Sequence, residues 1–204
     1  MEPPSGVLPP AFFPVGLNLA GRRCVVIGAS DDREAIAKAQ DLREVGAVVA
    51  WLHDPAAVSE ADVADAFFVI STPQDARLSA RLREFADRHR FLLCAIDQPA
   101  YGFVAMQAVV KSGPARIAIS TGGISPRVGG ILRAALQTAL DAKFARFLAG
   151  LAQRRGVSRA ANPDDADARR TTMMAAAEGF DVQVAVTYPS WFVDEDPSTG
   201  SGAP

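Results

Sequence analysis

Short, uninterrupted apolar runs alternate with amphipathic stretches through the first half of the chain. The run over residues 22–28 holds Cys24, Val25, Val26 and Ile27 and stops at Gly28. Ala29, Ser30, Asp31 and Asp32 follow, and then a stretch to Glu44 in which Ala35, Ile36, Ala39, Leu42 and Arg43 recur at spacings of three and four. That spacing puts them on one side of a helix, and Gly46 stands where a left-handed C-terminal cap is expected. A strand, a loop and a helix are therefore predicted, and the unit repeats. Further strands are predicted over 47–52, 66–71 and 91–96, with a helix of period 3.6 over 75–88. Strands that are apolar on every residue and alternate with helices belong to a parallel sheet covered on both faces. The expected class is α/β, with a Rossmann-like parallel sheet in a domain over 13–112.

Beyond it the pattern changes. Residues 116–120 read as a strand, and Thr121-Gly122-Gly123-Ile124-Ser125-Pro126 leads into a helix carrying Val128, Ile131, Leu132, Ala135, Leu136 and Leu140. A second helical stretch carries Phe144, Phe147, Leu148 and Leu151. Residues 151–193 form a C-terminal extension, in which 171–178 reads as helix and 181–188 alternates as a strand does. Residues 1–12 are expected to be a loose leader, since 1–11 hold four of the fourteen prolines, and 194–204 a disordered tail.

Composition narrows the function classes. With 49% apolar and 22% charged residues in 204, the chain can bury a core and is not intrinsically disordered. Twenty-one basic residues against 23 acidic ones give a charge of −2, which lacks the basic excess of a nucleic-acid binder. No apolar run reaches the roughly 18 residues that span a bilayer, and the first residues lack the pattern of a signal peptide, so no membrane partner and a cytoplasmic location are expected. Cys24 and Cys94 lie in separate predicted strands, as free buried thiols do. With only His53 and His89 besides, they form no metal-ligand spacing.

Chemistry is expected beyond the C-terminal ends of the strands, where a loop and a helix N-terminus offer N–H groups to a phosphate. Gly28, Ala29 and Ser30 occupy that place on the first strand, and Ser71 and Thr72 on the third. The loop departs from G-x-G-x-x-G/A, since Asp31 and Asp32 stand where a pyrophosphate would lie, and like charges at such distances cost on the order of kilocalories. Against that repulsion, Arg33 offers a compensating charge and an Asp at a helix N-cap is a common structural device, so the loop either still holds NAD or has lost it. Asp97, directly after the fourth strand, is either a proton-transfer group or metal partner, or a turn former ahead of Pro99. The 121–126 turn is either an anion nest or an ordinary helix start with Ser125 as N-cap and Pro126 in the first turn.

These segments, taken in order, resemble the precorrin-2 dehydrogenase/sirohydrochlorin ferrochelatase family of siroheme synthesis. The resemblance runs over 13–150 and rests on Phe13 to Arg23, the strand ending at Gly28, residues 66–72, Ala95-Ile96-Asp97-Gln98-Pro99 and above all residues 112–126. It implies an NAD-binding domain, a homodimer formed through 113–150, and a small helical C-terminal part. The implied reaction is oxidation of precorrin-2 to sirohydrochlorin with NAD, with metal insertion as a second role. Asp97 matches the family's acidic residue for proton transfer and metal insertion, Gly28 the first glycine of the nucleotide loop, and Ser125 the serine of the G-G-x-S-P turn. A polycarboxylate tetrapyrrole calls for cationic surroundings, for which Lys111, Arg116 and Arg127 are candidates, beside Thr121, Gly122 and Gly123. Residues 103–107 stand where the family begins its next helix. The rival expectation is a relative that works without NAD, as a tetrapyrrole chelatase, carrier or pathway-binding protein.

Overall fold

The computed structural model describes residues 12–192. The expected leader, apart from Phe12, and the expected tail lie outside these residues. The chain divides into two compact units, with the boundary between residues 146 and 147.

In the first unit, β1 (Arg23–Ile27), β2 (Val48–Leu52), β3 (Phe68–Ser71) and β4 (Leu92–Ala95) form a parallel sheet in the order β2-β1-β3-β4. The strand order reverses between β1 and β3, the place at which ligands bind in open parallel sheets. Helix α1 (Arg33–Glu44) links β1 to β2, and α2 (Ala76–His89) links β3 to β4. Two short 3-10 turns, Pro55–Ala57 and Glu60–Asp62, link β2 to β3. Each helix begins where the sequence supplies a cap: Asp32 accepts from the N–H groups of Glu34 and Ala35, and Asp75 from those of Arg77 and Leu78. Gly46 (φ 82°) turns the chain after α1, where only glycine escapes the Cβ penalty.

Successive strand residues face opposite sides, which divides the core in two. Val25, Ile27, Val69 and Leu93 pack with Leu78, Leu82 and Phe91 on one face. Cys24, Val26, Phe68, Ile70 and Cys94 pack with Ala35, Ala39 and Leu42 on the other. Burial of one such leucine or phenylalanine stabilises the fold by about 1.5–3 kcal/mol. Both cysteines are free and buried.

The same unit continues into an antiparallel hairpin, β5 (Ala108–Ser112) with β6 (Ala115–Ile119), followed by α3 (Pro126–Ala139). Residues 103–107, which stand where the family begins its next helix, run irregularly into β5, held by N–H bonds from Phe103 and Val104 to the carbonyl of Leu93. Helix α3 packs on β5, yet Gly129 is its only buried residue. Val128, Ile131 and Leu132 are exposed, as is Ile117 on β6.

Helix α4 (Ala142–Ala161) crosses the unit boundary, and α5 (Ala166–Ala176) belongs to the second unit. The helix expected over 171–178 therefore starts earlier, because Asp165 caps it through the N–H of Ala168. Phe147 and Phe180 stack in this unit with centroids 5.1 Å apart. The strand expected over 181–188 is not formed, and its backbone N–H groups meet no backbone acceptor among the described residues. Alternation makes a strand only where a second edge supplies the hydrogen bonds. None of the helices in the described residues is long and apolar enough to cross a membrane.

Candidate functional site

Two strand ends meet at the point where the order reverses. Thr72, just past β3, donates its backbone N–H to the carbonyl of Ile27 at 3.0 Å. Its hydroxyl lies 3.2 Å from the same carbonyl and also bonds the carboxylate of Asp32. Asp32 Oδ1 accepts from the N–H groups of Glu34 (2.8 Å) and Ala35 (3.3 Å). These bonds hold the Asp32 carboxyl below the usual carboxylate range, the Thr72 hydroxyl contributing most. Gly28 is buried beneath this group, and a Cβ on it would run into Thr72 Oγ1, Ala35 Cβ (2.8 Å) and Asp32 Oδ2 (3.1 Å). On the other side of the loop, Trp51 Nε1 donates to the Gly28 carbonyl at 2.9 Å.

Ala29, Ser30 and Asp31 are exposed, and their N–H groups donate to no acceptor among the described residues. Three free donors at the end of β1 fit the phosphate oxygens of a dinucleotide. Ser71 is fully buried, with its Oγ unpartnered, and does not line the open space at the strand ends.

Asp97 stands in the turn after β4 with a left-handed backbone (φ 57°), a conformation uncommon outside glycine and asparagine-like residues. The next residues explain how it is held: Gln74 Nε2 donates to Asp97 Oδ2 at 3.1 Å, and Gln98 Nε2 donates to the Pro73 carbonyl at 3.2 Å. Gln74 escaped the sequence reading, although it follows β3 as Asp97 follows β4, and adjacent parallel strands bring such positions together.

Asp97 borders a cleft of about 380 Å³. One wall is Cys94, Ala95, Ile96, Asp97 and Pro99, and the other is Ile119, Ser120, Thr121, Gly122 and Gly123 with Pro126 and Gly129 of α3. Burial pushes the Cys94 thiol up to about 11, so it lines the floor as a neutral, apolar group. Gly122 (φ 61°) and Gly123 (φ 78°) take left-handed turns into α3. Ser125 caps that helix by accepting from Val128 N–H at 3.3 Å, with Pro126 in its first turn, so the capped helix start is the form the turn adopts. The Gly122 N–H is taken by Ser120 Oγ at 3.2 Å.

The expected cations are not gathered here. Lys111 points to α1, with its Nζ 2.7 Å from Asp41 and 3.0 Å from Glu44. Arg116 is spent on the carbonyls of Gly113 and Ala115, and Arg127 is exposed beside Pro126 but does not line the cleft. Charge alone marked them in the sequence, and hairpin register, which sends Lys111 and Arg116 to one cross-strand pair, was not legible there. The charged residues that do line the cleft are Asp97 and Glu34. Among the described residues no group of three or more His, Cys, Asp or Glu is placed to hold a metal ion.

A parallel sheet with a glycine loop at its point of reversal and a cleft beside it defines the Rossmann class of nucleotide-binding proteins. Residues 15–108 match the family model described as "Putative NAD(P)-binding". Siroheme synthase of Xylella fastidiosa is 30% identical over 178 residues, covering 78% of this chain and 37% of that protein. The corresponding figures for siroheme synthase of Azotobacter vinelandii are 29%, 161 residues, 70% and 34%. The solved structure of "SirC, precorrin-2 dehydrogenase" shares the fold with a TM-score of 0.58 at 17% identity, covering 81% of this chain and 96% of that one. The chain is thus similar in sequence to siroheme synthases and shares its fold with a precorrin-2 dehydrogenase. It spans about a third of the length of the siroheme synthases it matches.

Proposed function

We propose that the chain serves siroheme biosynthesis as an oxidoreductase that converts precorrin-2 to sirohydrochlorin with NAD. The observation that carries this reading is Asp97, held in a strained turn by Gln74 at the mouth of a cleft whose far wall is the Thr121-Gly122-Gly123 turn. Gly28, Ala29 and Ser30, with Thr72 behind them, would hold the dinucleotide, which when bound accepts a hydride from the substrate. Loss of that hydride must be matched by loss of a proton. Asp97 Oδ2 is engaged by Gln74, which leaves Oδ1 to take the proton from the macrocycle. The apolar floor at Cys94 and Ile96 suits the ring of a tetrapyrrole.

The protein works as a homodimer in this reading, in the cytoplasm. The exposed Val128, Ile131 and Leu132 on α3, with Ile117 on β6, support an interface within 113–150, since a helix with one buried residue leaves its apolar side to be covered by a second copy. Metal insertion into sirohydrochlorin is a second role, with Asp97 as the acid that meets the incoming ion. A reading without NAD is favoured by one observation, the Asp32 carboxylate on the α1 N–H groups.

Replacement of Asp97 by Asn tests the main reading. Turnover of precorrin-2 is expected to fall by roughly 100-fold or more, the usual worth of a positioned acid or base. NAD affinity, measured by calorimetry, should change less than about twofold, because Asp97 is not among the residues assigned to hold the dinucleotide. An active Asp97→Asn enzyme overturns the assignment.

A further inference from the structure

In a dinucleotide loop the first glycine, here Gly28, makes the tight turn, and the pyrophosphate sits beyond it against the N–H groups at the helix start. Here the chain fills that space itself. A Cβ on Gly28 would meet Asp32 Oδ2 at 3.1 Å, and Thr72 Oγ1 lies closer still. The same carboxylate satisfies two N–H groups at the start of α1 and takes the Thr72 hydroxyl as a third donor. Backbone N–H groups at a helix start together with a hydroxyl form the donor set that phosphate oxygens use. Asp32 therefore meets the geometry of a bound anion, supplied from within the chain.

We propose that Asp32 is an internal anion seated in the phosphate position of the nucleotide loop, and that it sets the affinity of this protein for dinucleotides. The inference rests on the NAD reading given above. A phosphate can use the N–H groups of Ala29 and Ser30 while Asp32 stays seated, but only with a carboxylate against it. Full engagement of α1 requires Asp32 to leave Thr72 and give up its two N–H bonds. Neighbouring Asp31 differs: it is exposed, and its carboxylate takes no hydrogen bond among the described residues. Its charge is screened by water, whereas that of Asp32 occupies the seat.

The test is calorimetric titration of the full-length protein with NAD and, separately, with inorganic pyrophosphate. Asp32→Asn keeps a capping oxygen on α1 and removes the charge. It is expected to bind both ligands at least tenfold more tightly than the parent protein. Asp32→Ser, a smaller cap, should do the same, which guards against one variant failing to fold. Asp31→Asn should shift either affinity less than twofold. Unchanged or weaker binding by folded Asp32→Asn and Asp32→Ser, with NAD still bound by the parent, overturns the internal anion and leaves the NAD reading standing. An equal gain from Asp31→Asn also overturns it, since general charge would then suffice. Binding of neither ligand by any variant overturns the inference and the NAD reading together.

Discussion

Replacement of Gly28 by alanine probes the packing at the point of strand reversal most directly. Gly28 has no positive φ, so the cost of a side chain there is steric and not conformational. The new methyl group would overlap Thr72 Oγ1 and stand 2.8 Å from Ala35 Cβ, inside any real carbon contact. Neither neighbour is the free end of a flexible chain: Thr72 is hydrogen-bonded to Ile27, and Ala35 is fully buried on the inner side of α1. Overpacking of this kind costs about 1–3 kcal/mol. Displacing Thr72 or α1 also breaks the Asp32 cap, which is worth about 1 kcal/mol. For a chain of this size a loss of about 2–4 kcal/mol lowers Tm by roughly 4–16 °C. Thermal unfolding followed by circular dichroism reads it, and a cycle with Thr72→Ala locates it. The double variant lacks the nearest clashing atom and should be less destabilised than the sum of the single variants by about 1 kcal/mol. A Tm for Gly28→Ala within about 1 °C of the parent, or strict additivity in the cycle, refutes the steric account.

Other consequences are simpler to state. Glu60 accepts from His89 and Arg88 at 2.6 Å, and these bonds, that of His89 foremost, hold its carboxyl below the ordinary 4.5. A depressed carboxylate contributes stability that is present above pH 4.5 and is lost as the pH falls through the folded value, so the Tm advantage of the parent over Glu60→Gln should be present at pH 6 and vanish in acid. A persistent gap at low pH would reject the pairing as its source. Ile131→Asp places a charge on the exposed side of α3 and should convert a dimer to monomer in sedimentation analysis, while a folded dimer in that variant rejects the α3 interface.

The parallel sheet was legible because β1, β3 and β4 are covered on both faces, and their polar residues, Arg23 and Ser71, stand at strand ends where they do not confuse the period. Strand ends were legible for the same reason, which is how Gly28, Thr72 and Asp97 could be singled out before any geometry was known. Asp31 and Asp32 were read as a pair, yet one is a cap locked to Thr72 and the other is free in solvent. That difference depends on a residue forty positions away on a neighbouring strand. The segment over 181–188 alternates as a strand, but alternation describes a face and not a partner, and no edge lies alongside it among the described residues. Lys111 was selected for its charge, although its two acids lie on α1, about seventy positions earlier, and sequence distance of that order carries no signal without the fold.

Lys111 gives the cleft a mechanical property. Its backbone is fixed to α3, with its N–H donating to Gln137 Oε1 at 3.1 Å and its carbonyl accepting from Gln137 Nε2 at 2.9 Å. Its ammonium group reaches the other way, to Asp41 and Glu44 on α1. One residue thus ties the hairpin side of the cleft to the helix that begins at the nucleotide loop. The two ends of the tie respond differently to their medium: amide hydrogen bonds are indifferent to salt, whereas a half-exposed ion pair weakens as the screening length shrinks from about 10 Å at 0.1 M to about 3 Å at 1 M. Rising ionic strength therefore loosens the hold of the hairpin on α1 while leaving its hold on α3 intact.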